Sequence, residues 1–405
     1  MIQRFIHGLL LRRHFWRHAT FSEIAELYAS RLLRMLAINI AASFMSIYLY
    51  QQGYSVVFIV LFWAAFFLFK ALISIPSAAV AAWIGPKHAI LLSNILFIPS
   101  MVAFALLPQY GAWLLIVVGV FQGFSSAMYA IAYNIDFSKV KSVDHAGKEI
   151  AYMNMIEKLT TGLSPLVGGL LAFVVGPEFV LVIAGALFAA AAIPLLQTAE
   201  PEMPHQHLKF KGFPWRLVRS MGVAHWAVGF DVFTSGTAWS LFVAIFIVGV
   251  SATNEVYLVN GILMSVVLLA ALMSSYVYGR LIDRKKGHEL MKVAIIANAL
   301  THLSRPFVSS PINVAGLNIV NEMATTGYTM SYHRAVFDNA DLSGARAVYI
   351  GVLEAIANVG ASVAALLGAL LVWQLGEQTG FEALFVATGV VVLLVLTARF
   401  PLFQR

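Results

Sequence analysis

The hydrophobic positions of this chain fall in long runs that short polar interruptions separate. Residues 35–69 and 88–135 contain no Asp, Glu, Lys or Arg. A helix that crosses a bilayer needs about 20 mostly apolar residues, so each run is long enough for two such helices. Turn-forming residues divide the runs, with Gln-Gln-Gly at 51–53 in the first and Pro-Gln-Tyr-Gly at 108–111 in the second.

The same alternation continues to the C-terminus and predicts twelve membrane-spanning helices. Because each helix satisfies its own backbone hydrogen bonds, the predicted fold is an all-α polytopic membrane protein. The predicted spans lie near 32–50, 55–83, 87–107, 112–136, 149–175, 178–198, 222–249, 255–279, 289–309, 312–335, 346–373 and 380–399.

The basic residues predict the orientation of these spans. With a cytoplasmic N-terminus, every Lys and Arg except Lys70, Lys158 and Arg305 falls in a cytoplasmic segment or at the span end beside one. Cytoplasmic loops of membrane proteins carry an excess of Lys and Arg. We therefore expect both termini in the cytoplasm and an integral protein of the plasma membrane, the inner membrane in a bacterium.

Composition agrees with a lipid environment. Hydrophobic residues make up 60% of the chain and charged residues 11%, whereas soluble domains carry about 25% charged residues. The net charge of +7 does not indicate a nucleic-acid partner, because the basic residues follow the predicted cytoplasmic loops. Cysteine is absent, and no motif indicates a nucleotide loop or a catalytic nucleophile. We expect neither an enzyme nor a cofactor or metal site.

An internal repeat relates the two halves of the chain. Tyr152 and Glu157 in the fifth predicted span match Tyr349 and Glu354 in the eleventh at an offset of 197 residues. Duplication of a six-helix unit is a common origin of transporter folds. The sequence therefore predicts two pseudo-symmetric six-helix bundles.

Segments of different composition flank these bundles. Residues 1–30 read as a basic amphipathic arm lying on an anionic membrane surface, with a disordered basic tail as the alternative. The predicted bundles cover 31–198 and 222–400, a basic cytoplasmic linker covers 199–221, and 401–405 form a short tail.

One cytoplasmic turn carries a recognisable motif. Between the eighth and ninth spans the chain reads Gly-Arg-Leu-Ile-Asp-Arg from Gly279 to Arg284, with Asp283 as its acid. This resembles the G-x-L-x-D-R motif of the major facilitator superfamily, in which an acid at a helix end holds a neighbouring helix. The equivalent first-half stretch, 80–87, lacks the Asp and the Arg and keeps only Lys87 as a charge.

The fifth span carries a second resemblance. Its segment 162–169 is similar to the G-P-x-x-G-G motif of proton-coupled drug exporters in this superfamily, with Pro165, Gly168 and Gly169 matching and Ser164 in place of the first Gly; Gly162 lies two residues before it. The resemblance implies a pliable helix where the two bundles meet. Ordinary small-residue packing between membrane helices is the alternative interpretation.

Ionisable residues inside predicted spans are the main functional candidates, because each costs roughly 2.5–3.5 kcal/mol to insert. Since spans 1, 4, 7 and 10 line the cavity in this superfamily, the resemblance places Asp231 and Glu322 near the pathway. We predict that Asp231, Glu322 and Lys70 couple proton movement to transport. Permanent ion pairing is the alternative.

Other polar residues are predicted either to line the cavity or to serve the contact between bundles. Asn318, Asn321, Asn39 and Gln122 are the further cavity candidates. Glu157, Lys158 and Glu354 are predicted to act between the bundles or in gating, with the motif residues of the fifth span and the eighth-to-ninth turn. His225 and Arg305 are expected near the membrane interfaces.

These observations predict a secondary transporter that moves a small organic solute by alternating access. The motif in the fifth span favours proton-coupled efflux. Nutrient or metabolite uptake, a lipid flippase and a transport-inactive scaffold or sensor remain the alternatives. The expected partners are a small-molecule substrate, protons and membrane lipids, and we expect a functional monomer without nucleic acid.

Overall fold

The computed structural model describes residues 21–41, 45–141, 145–175, 177–196, 204–249, 262–263 and 266–399. Within these segments the secondary structure is helical, and no strand occurs. Residues 1–20 of the predicted interfacial arm and the predicted tail at 401–405 lie outside the described residues.

In the described part of the first half we number six long helices in chain order. The rod α1 comprises Phe21–Ala41 and Met45–Gln51, followed by α2 (Val56–Ile84), α3 (Pro86–Ala105), α4 (Leu114–Val140), α5 (Ala146–Val175) and α6 (Pro177–Ala192). A short helix, Leu107–Tyr110, lies between α3 and α4, and a 3-10 turn, Ile193–Leu196, follows α6.

The second half repeats this arrangement. The rod α7 comprises Trp215–Phe233, a π-helical stretch Thr234–Ala238, Trp239–Phe242 and a second π-helical stretch Val243–Val248. The remaining helices are α8 (Leu268–Asp283), α9 (Gly287–Ser304), α10 (Pro311–Leu342), α11 (Arg346–Leu375) and α12 (Glu377–Val391). A 3-10 turn, Arg305–Phe307, ends α9, and another, Val392–Thr397, ends α12.

Local sequence explains where the helices begin and end. The Ser55 hydroxyl accepts a hydrogen bond from the backbone N–H of Phe58 at 3.3 Å and caps α2, and Ser310 caps α10 in the same way. Gly85 ends α2 with φ of 92°, a left-handed conformation that favours glycine, and Pro86 begins α3.

Two helix pairs form the boundary between the bundles. The helix α2 packs along α11, and α5 packs along α8. The Ser362 hydroxyl of α11 donates to the backbone oxygen of Ala64 in α2 at 2.9 Å. A Cβ placed on Gly162 of α5 would lie 3.2 Å from the Cβ of Leu268 in α8, so small residues permit this approach.

By length and composition, seven of the described helices are apolar enough to cross a membrane. They are α1, α2, α3, α4, α7, α11 and α12. Successive helices run in opposite directions, so the turns at 84–86, 284–286 and 343–345 and the ends of α4 and α10 belong to the same end of the helices. We call this end, together with the linker at 204–214, the basic face, because Lys87, Lys139, Arg284 and Arg346 lie in or beside these segments.

Two helices begin earlier than the hydrophobic pattern predicts. The helix α1 already includes Phe21, the first described residue, whereas a start near 32 is predicted, and α7 starts at Trp215 and not near 222. Polar residues continue these helices at their basic-face ends, where hydropathy gives no signal. Consequently Arg34, predicted to lie at a cytoplasmic span end, is buried inside the first bundle, and Arg31 is partly buried.

Candidate functional site

A cavity of about 200 Å³, with several charged and polar residues in its lining, lies where the two bundles meet. It is bounded by α2, α4, α7, α10 and α11. Lys70 of α2 faces Glu354 of α11 across it, with 3.7 Å between the lysine Nζ and a carboxylate oxygen. His225 of α7 and His333 of α10 also line it. The cavity therefore holds an acid, an amine and two imidazoles, supplied by both bundles.

The apolar part of this cavity is aromatic and aliphatic. Phe67 and Phe337 contribute rings, and Asn134 and Asn358 add amides. Drug-sized ligands occupy pockets of about 300–1,000 Å³. In this conformation the cavity is therefore smaller than a drug-sized molecule requires, and the bundles must move apart before such a molecule enters.

A second ion pair joins the bundles at α5. The Nζ of Lys158 lies 2.9 Å from a carboxylate oxygen of Glu322 in α10. The preceding residue, Glu157, pairs instead with Arg31 of its own bundle at 2.5 Å. Two adjacent residues of α5 thus pair with different bundles: Glu157 pairs with the first bundle and Lys158 with the second.

Asp231 lies inside the second bundle and is 2% exposed. Its carboxylate is held from three helices. Asn298 of α9 donates to it at 2.9 Å, the Nε2 of His302 lies 2.7 Å from it, and the Tyr328 hydroxyl of α10 donates to it. Ser235, one turn along α7, donates at 2.7 Å. This acid therefore ties α7, α9 and α10 together.

Arg305 completes the Asp231 cluster. Its guanidinium lies 3.0 Å from the Nδ1 of His302 and donates to Ser235 at 3.2 Å and to Asn321 at 3.3 Å. It also donates to the backbone oxygen of Thr234, in the π-helical stretch where the regular ladder is interrupted. The side chain of Arg305 is 1% exposed and is therefore held inside the second bundle, and its expected depth near a membrane interface stays a prediction.

The first bundle holds a buried cation in the corresponding place. Arg34 of α1 donates to Asn94 of α3 and, at 3.0 Å, to the hydroxyl of Ser125 in α4. Its guanidinium lies 4.0 Å from the centre of the Tyr129 ring. Among the described residues no carboxylate forms an ion pair with Arg34. The positive charge of Arg34 is instead stabilised by neutral hydrogen-bond acceptors and by the faces of aromatic rings.

The acid of the eighth-to-ninth turn contacts the other bundle. Asp283 accepts a hydrogen bond from the backbone N–H of Gly147, at the start of α5, at 2.8 Å. A Cβ placed on Gly279 would lie 2.6 Å from the Cβ of Ala151 in α5, so glycine is needed for this approach. Arg284 is exposed at the end of α8. Asp283 therefore holds an amino-terminal helix end.

The small residues of α5 do not all face the second bundle. Gly162 faces α8 of the second bundle, whereas Gly168 packs on Ile40 of α1, within its own bundle. The predicted role of both glycines between the bundles or in gating stays a prediction. Pro165 and Gly169 belong to α5, and their side-chain surroundings lie outside the described part of the structure.

The remaining predicted cavity residues have partners elsewhere. Asn318 accepts from the indole of Trp239 at 2.8 Å, and Asn321 accepts from Thr301 at 3.1 Å. Asn39 donates to a backbone oxygen of its own helix. Gln122 is buried in α4. Among the residues predicted from sequence for the cavity, Lys70 lines the 200 Å³ cavity, together with Glu354, which was predicted for the contact between bundles.

Sequence reasoning missed three functional candidates. The hydrophobic pattern places Arg31 and Arg34 at a helix end. Their spacing of three residues nevertheless puts both side chains near one face of a helix. His333 was not considered, although it follows Tyr332 by one residue in a polar part of α10. Its partners come from distant parts of the chain, so no local pattern marks it.

Two helical bundles with charged residues buried between and within them are the architecture of a membrane transporter. A family model described as Major Facilitator Superfamily matches residues 27–335. The chain belongs to the Major Facilitator Superfamily, and it is a secondary transporter and an integral membrane protein.

Similar proteins agree with this assignment. The chain is 23% identical over 331 residues to a multi-drug resistance efflux pump PmrA homolog of Lactococcus lactis, covering 79% of each sequence. It also resembles the crystal structure of the human organic anion transporter MFSD10, with a TM-score of 0.72, 14% identity and coverage of 93% and 100% of the two chains. The E. coli fucose:proton symporter FucP gives a TM-score of 0.67 at 14% identity, with coverage of 93% and 98%. The similarities to these two solved structures show a shared fold.

Proposed function

We propose that this protein exports a small, partly apolar organic solute in exchange for protons. The observation that carries the proposal is that two ion pairs join the bundles at or near the 200 Å³ cavity. Lys70 meets Glu354 at the cavity, and Lys158 meets Glu322 beside it. Each pair places its carboxylate on the second bundle and its lysine on the first.

Protonation of these carboxylates would weaken the contact between the bundles. A neutral carboxyl no longer balances its lysine, and an unpaired buried charge costs several kcal/mol. The bundles then separate more easily and expose the lysine to water. Proton binding and the rocking of the bundles are linked in this way. Glu354 is the better placed of the two acids, because it lines the cavity that the substrate enters.

We assign Asp231 a different role. All four side chains that bind its carboxylate belong to the second bundle. Asp231 contributes to transport by keeping α7, α9 and α10 together while this bundle moves as a rigid body. Its protonation would loosen the bundle itself and leave the pairs between bundles in place.

The cavity lining indicates the kind of substrate. Rings of Phe67 and Phe337 favour an apolar body, and Glu354 and Lys70 favour a polar or charged group at one end. A single chain provides both bundles and hence the whole cavity, so we propose a monomer as the unit of transport.

Export is favoured over uptake by the printed name of the relative from Lactococcus lactis, an efflux pump homolog, and by the motif in α5. Uptake remains the second direction to test, and the same flux measurement distinguishes the two, because it follows the solute from either side of the membrane.

A flux assay tests the proposal. A thermal-shift screen of small organic compounds first identifies a ligand, and proteoliposomes with an imposed pH gradient then report its movement. We expect Glu354→Gln and Glu322→Gln to abolish accumulation driven by the gradient and to retain exchange of ligand across the membrane. Glu377→Gln, at an exposed position, is the matched control.

The outcomes separate the assigned roles. Gradient-driven accumulation at wild-type rates in both Glu354→Gln and Glu322→Gln would refute proton coupling through these acids. Loss of ligand exchange as well as accumulation in Glu354→Gln would instead show that this acid is needed for binding.

A further inference from the structure

One side of α7 faces away from the 200 Å³ cavity. His225, Val228 and Val232 of α7 line that cavity, and Val223 precedes Val232 by about two and a half helical turns, so it points in the opposite direction. Val223 is 54% exposed. Because α7 is long and apolar enough to cross a membrane, an exposed valine on this side of it lies against lipid.

Two arginines continue this lipid-facing side of α7 toward the basic face. Arg219 and Arg216 precede Val223 by one and two turns on the same helix face, and both are exposed. Val218 and Met221, on the other side of the helix, are buried. At a rise of about 1.5 Å per residue, Arg219 lies about 6 Å and Arg216 about 10 Å beyond Val223. The headgroup layer of a bilayer is about 5–8 Å thick on each side, so these long side chains reach it.

An exposed pair of aromatic rings lies at the same end of α7. Trp215, the first residue of α7, is 43% exposed and stacks on Phe210 of the linker, which is 41% exposed, with 6.5 Å between the ring centres and 13° between the ring planes. The buried Phe213 packs edge-on against Trp215 at 5.0 Å and helps to fix the pair. Amphipathic aromatic rings are enriched at membrane–water interfaces. The pair therefore indicates a surface that contacts lipid.

Five exposed cations lie in these segments. The backbone N–H of Arg399 donates to the backbone oxygen of Ser220 at 3.2 Å, so the segment after α12 places one more arginine beside the start of α7. Residues 204–220 contain no Asp or Glu, and within the described part of the chain no acid forms an ion pair with any of the five cations. We call these cations the α7 basic patch, which consists of Lys209, Lys211, Arg216, Arg219 and Arg399.

We propose that the α7 basic patch binds the phosphate-bearing headgroup of an anionic phospholipid in the adjoining leaflet. Guanidinium groups donate paired hydrogen bonds to phosphate oxygens, and the lysines add positive charge. The rings of Phe210 and Trp215 and the lipid-facing Val223 contact the glycerol and the first part of the acyl chains. These apolar contacts favour a lipid over a soluble phosphate compound, which would leave them unused.

The α7 basic patch lies where the chain passes from one bundle to the other. The backbone N–H of His205 in the linker donates to the backbone oxygen of Trp83 in α2, a helix of the first bundle, at 2.7 Å. The helix α7 belongs to the second bundle. A phospholipid on the patch therefore stabilises the connection between the bundles. This effect does not require proton coupling, so the inference stands apart from the proposed direction and energy source of transport.

Binding of phosphatidylglycerol to the purified full-length protein tests this surface. In neutral detergent micelles at fixed ionic strength, the thermal unfolding temperature should rise and level off as phosphatidylglycerol is added. The double variant Arg216→Gln, Arg219→Gln should bind about thirtyfold more weakly, since each cation beside an anionic surface contributes about fivefold. The double variant Lys285→Gln, Lys286→Gln is the matched control, because it removes the same charge from exposed positions in another turn of the basic face.

A spin label tests the lipid-facing side of α7 without changing the patch. The chain has no cysteine, so Val223→Cys and Lys285→Cys each provide a single labelling site. In nanodiscs, a nitroxide at 223 should collide with dissolved oxygen and be shielded from a water-soluble nickel chelate. A nitroxide at 285 should collide with the chelate. Equal access of the chelate to both labels would show that this side of α7 faces water, which would overturn the proposal.

Three results of the lipid titration would also overturn the proposal. The wild-type protein could show no rise in unfolding temperature with phosphatidylglycerol. The two double variants could lose the rise equally, which would assign it to the general charge of the basic face. Glycerol 3-phosphate in neutral micelles could raise the unfolding temperature as much as phosphatidylglycerol does, which would identify a soluble phosphate compound as the ligand.

Discussion

Each bundle contains a buried charged residue that contacts an asparagine and a tyrosine, and the two charges have opposite sign. In the first, Arg34 of α1 contacts Asn94 of α3 and lies over Tyr129 of α4. In the second, Asp231 of α7 contacts Asn298 of α9 and Tyr328 of α10. Arg34 and Asp231 differ by the repeat offset of 197 residues. The two centres therefore use similar residue types, while their central charges have opposite sign.

Each centre contains an asparagine, and the asparagine amide explains how similar residues can stabilise either a cation or an anion. An amide carries a carbonyl acceptor and an NH₂ donor. Asn94 accepts from the guanidinium through its oxygen, and Asn298 donates to the carboxylate through its nitrogen. The same residue type therefore serves a cation in one bundle and an anion in the other.

The two centres differ in how their charge is balanced. The His302 imidazole lies 2.7 Å from the Asp231 carboxylate, and the Arg305 guanidinium lies 3.0 Å from the other side of that imidazole. Arg34 has neutral dipoles and the rings of Tyr129, Phe188 and Phe97 within 4.0, 5.5 and 5.8 Å. Cation–π contacts reach about 2 kcal/mol when desolvated. The second centre is thus a charged network, and the first is a single cation solvated by the protein.

Removing the central charge should have the largest effect and should separate the two centres. Asp231→Leu leaves Arg305 buried without a counter-charge, so we expect a loss of about 3–5 kcal/mol of stability. Arg34→Met leaves only neutral groups unpaired, and we expect a loss of about 1–2 kcal/mol. Equilibrium unfolding in mixed detergent micelles measures both, and equal losses would contradict the difference in charge balance.

Changing the shared asparagine to an acid should give effects of opposite sign. Asn298→Asp places a second carboxylate beside Asp231, and we expect a loss of about 2–3 kcal/mol at neutral pH. Asn94→Asp gives Arg34 a carboxylate partner, and we expect a gain of about 1 kcal/mol after the desolvation of the new acid. The same unfolding assay applies. A loss in both variants would show that Arg34 is already fully compensated.

The tyrosines should show the smallest contrast. Tyr328→Phe removes a hydroxyl that donates to a buried carboxylate, which should cost about 1.5–2 kcal/mol. Tyr129→Phe keeps the ring beneath the Arg34 guanidinium, so we expect a loss below about 1 kcal/mol. Thermal unfolding of the two variants in parallel provides the measurement. A larger loss for Tyr129→Phe would assign the hydroxyl, and not the ring, to the support of Arg34.

Sequence reasoning identified most of the charged residues inside the bundles but few of the residues that they pair with. It placed Lys70, Asp231, Glu322 and Glu354 within spans, where the structure has them. Their partners lie 284 residues away for Lys70 and Glu354 and 164 residues away for Lys158 and Glu322, as their numbers show. No spacing rule within one helix relates such residues, so the alternatives of coupling and permanent pairing stayed open.

The sequence by itself determined the class of this protein. Long uncharged runs require lipid, because the backbone of a span must satisfy its own hydrogen bonds, and the repeat offset relates the bundles. Tertiary structure decided which charges meet. Arg34 became a buried cation because α1 extends back to Phe21, a polar start that hydropathy does not detect. Burial and ion pairing depend on which helix faces lie together, and that arrangement is set by packing between distant segments.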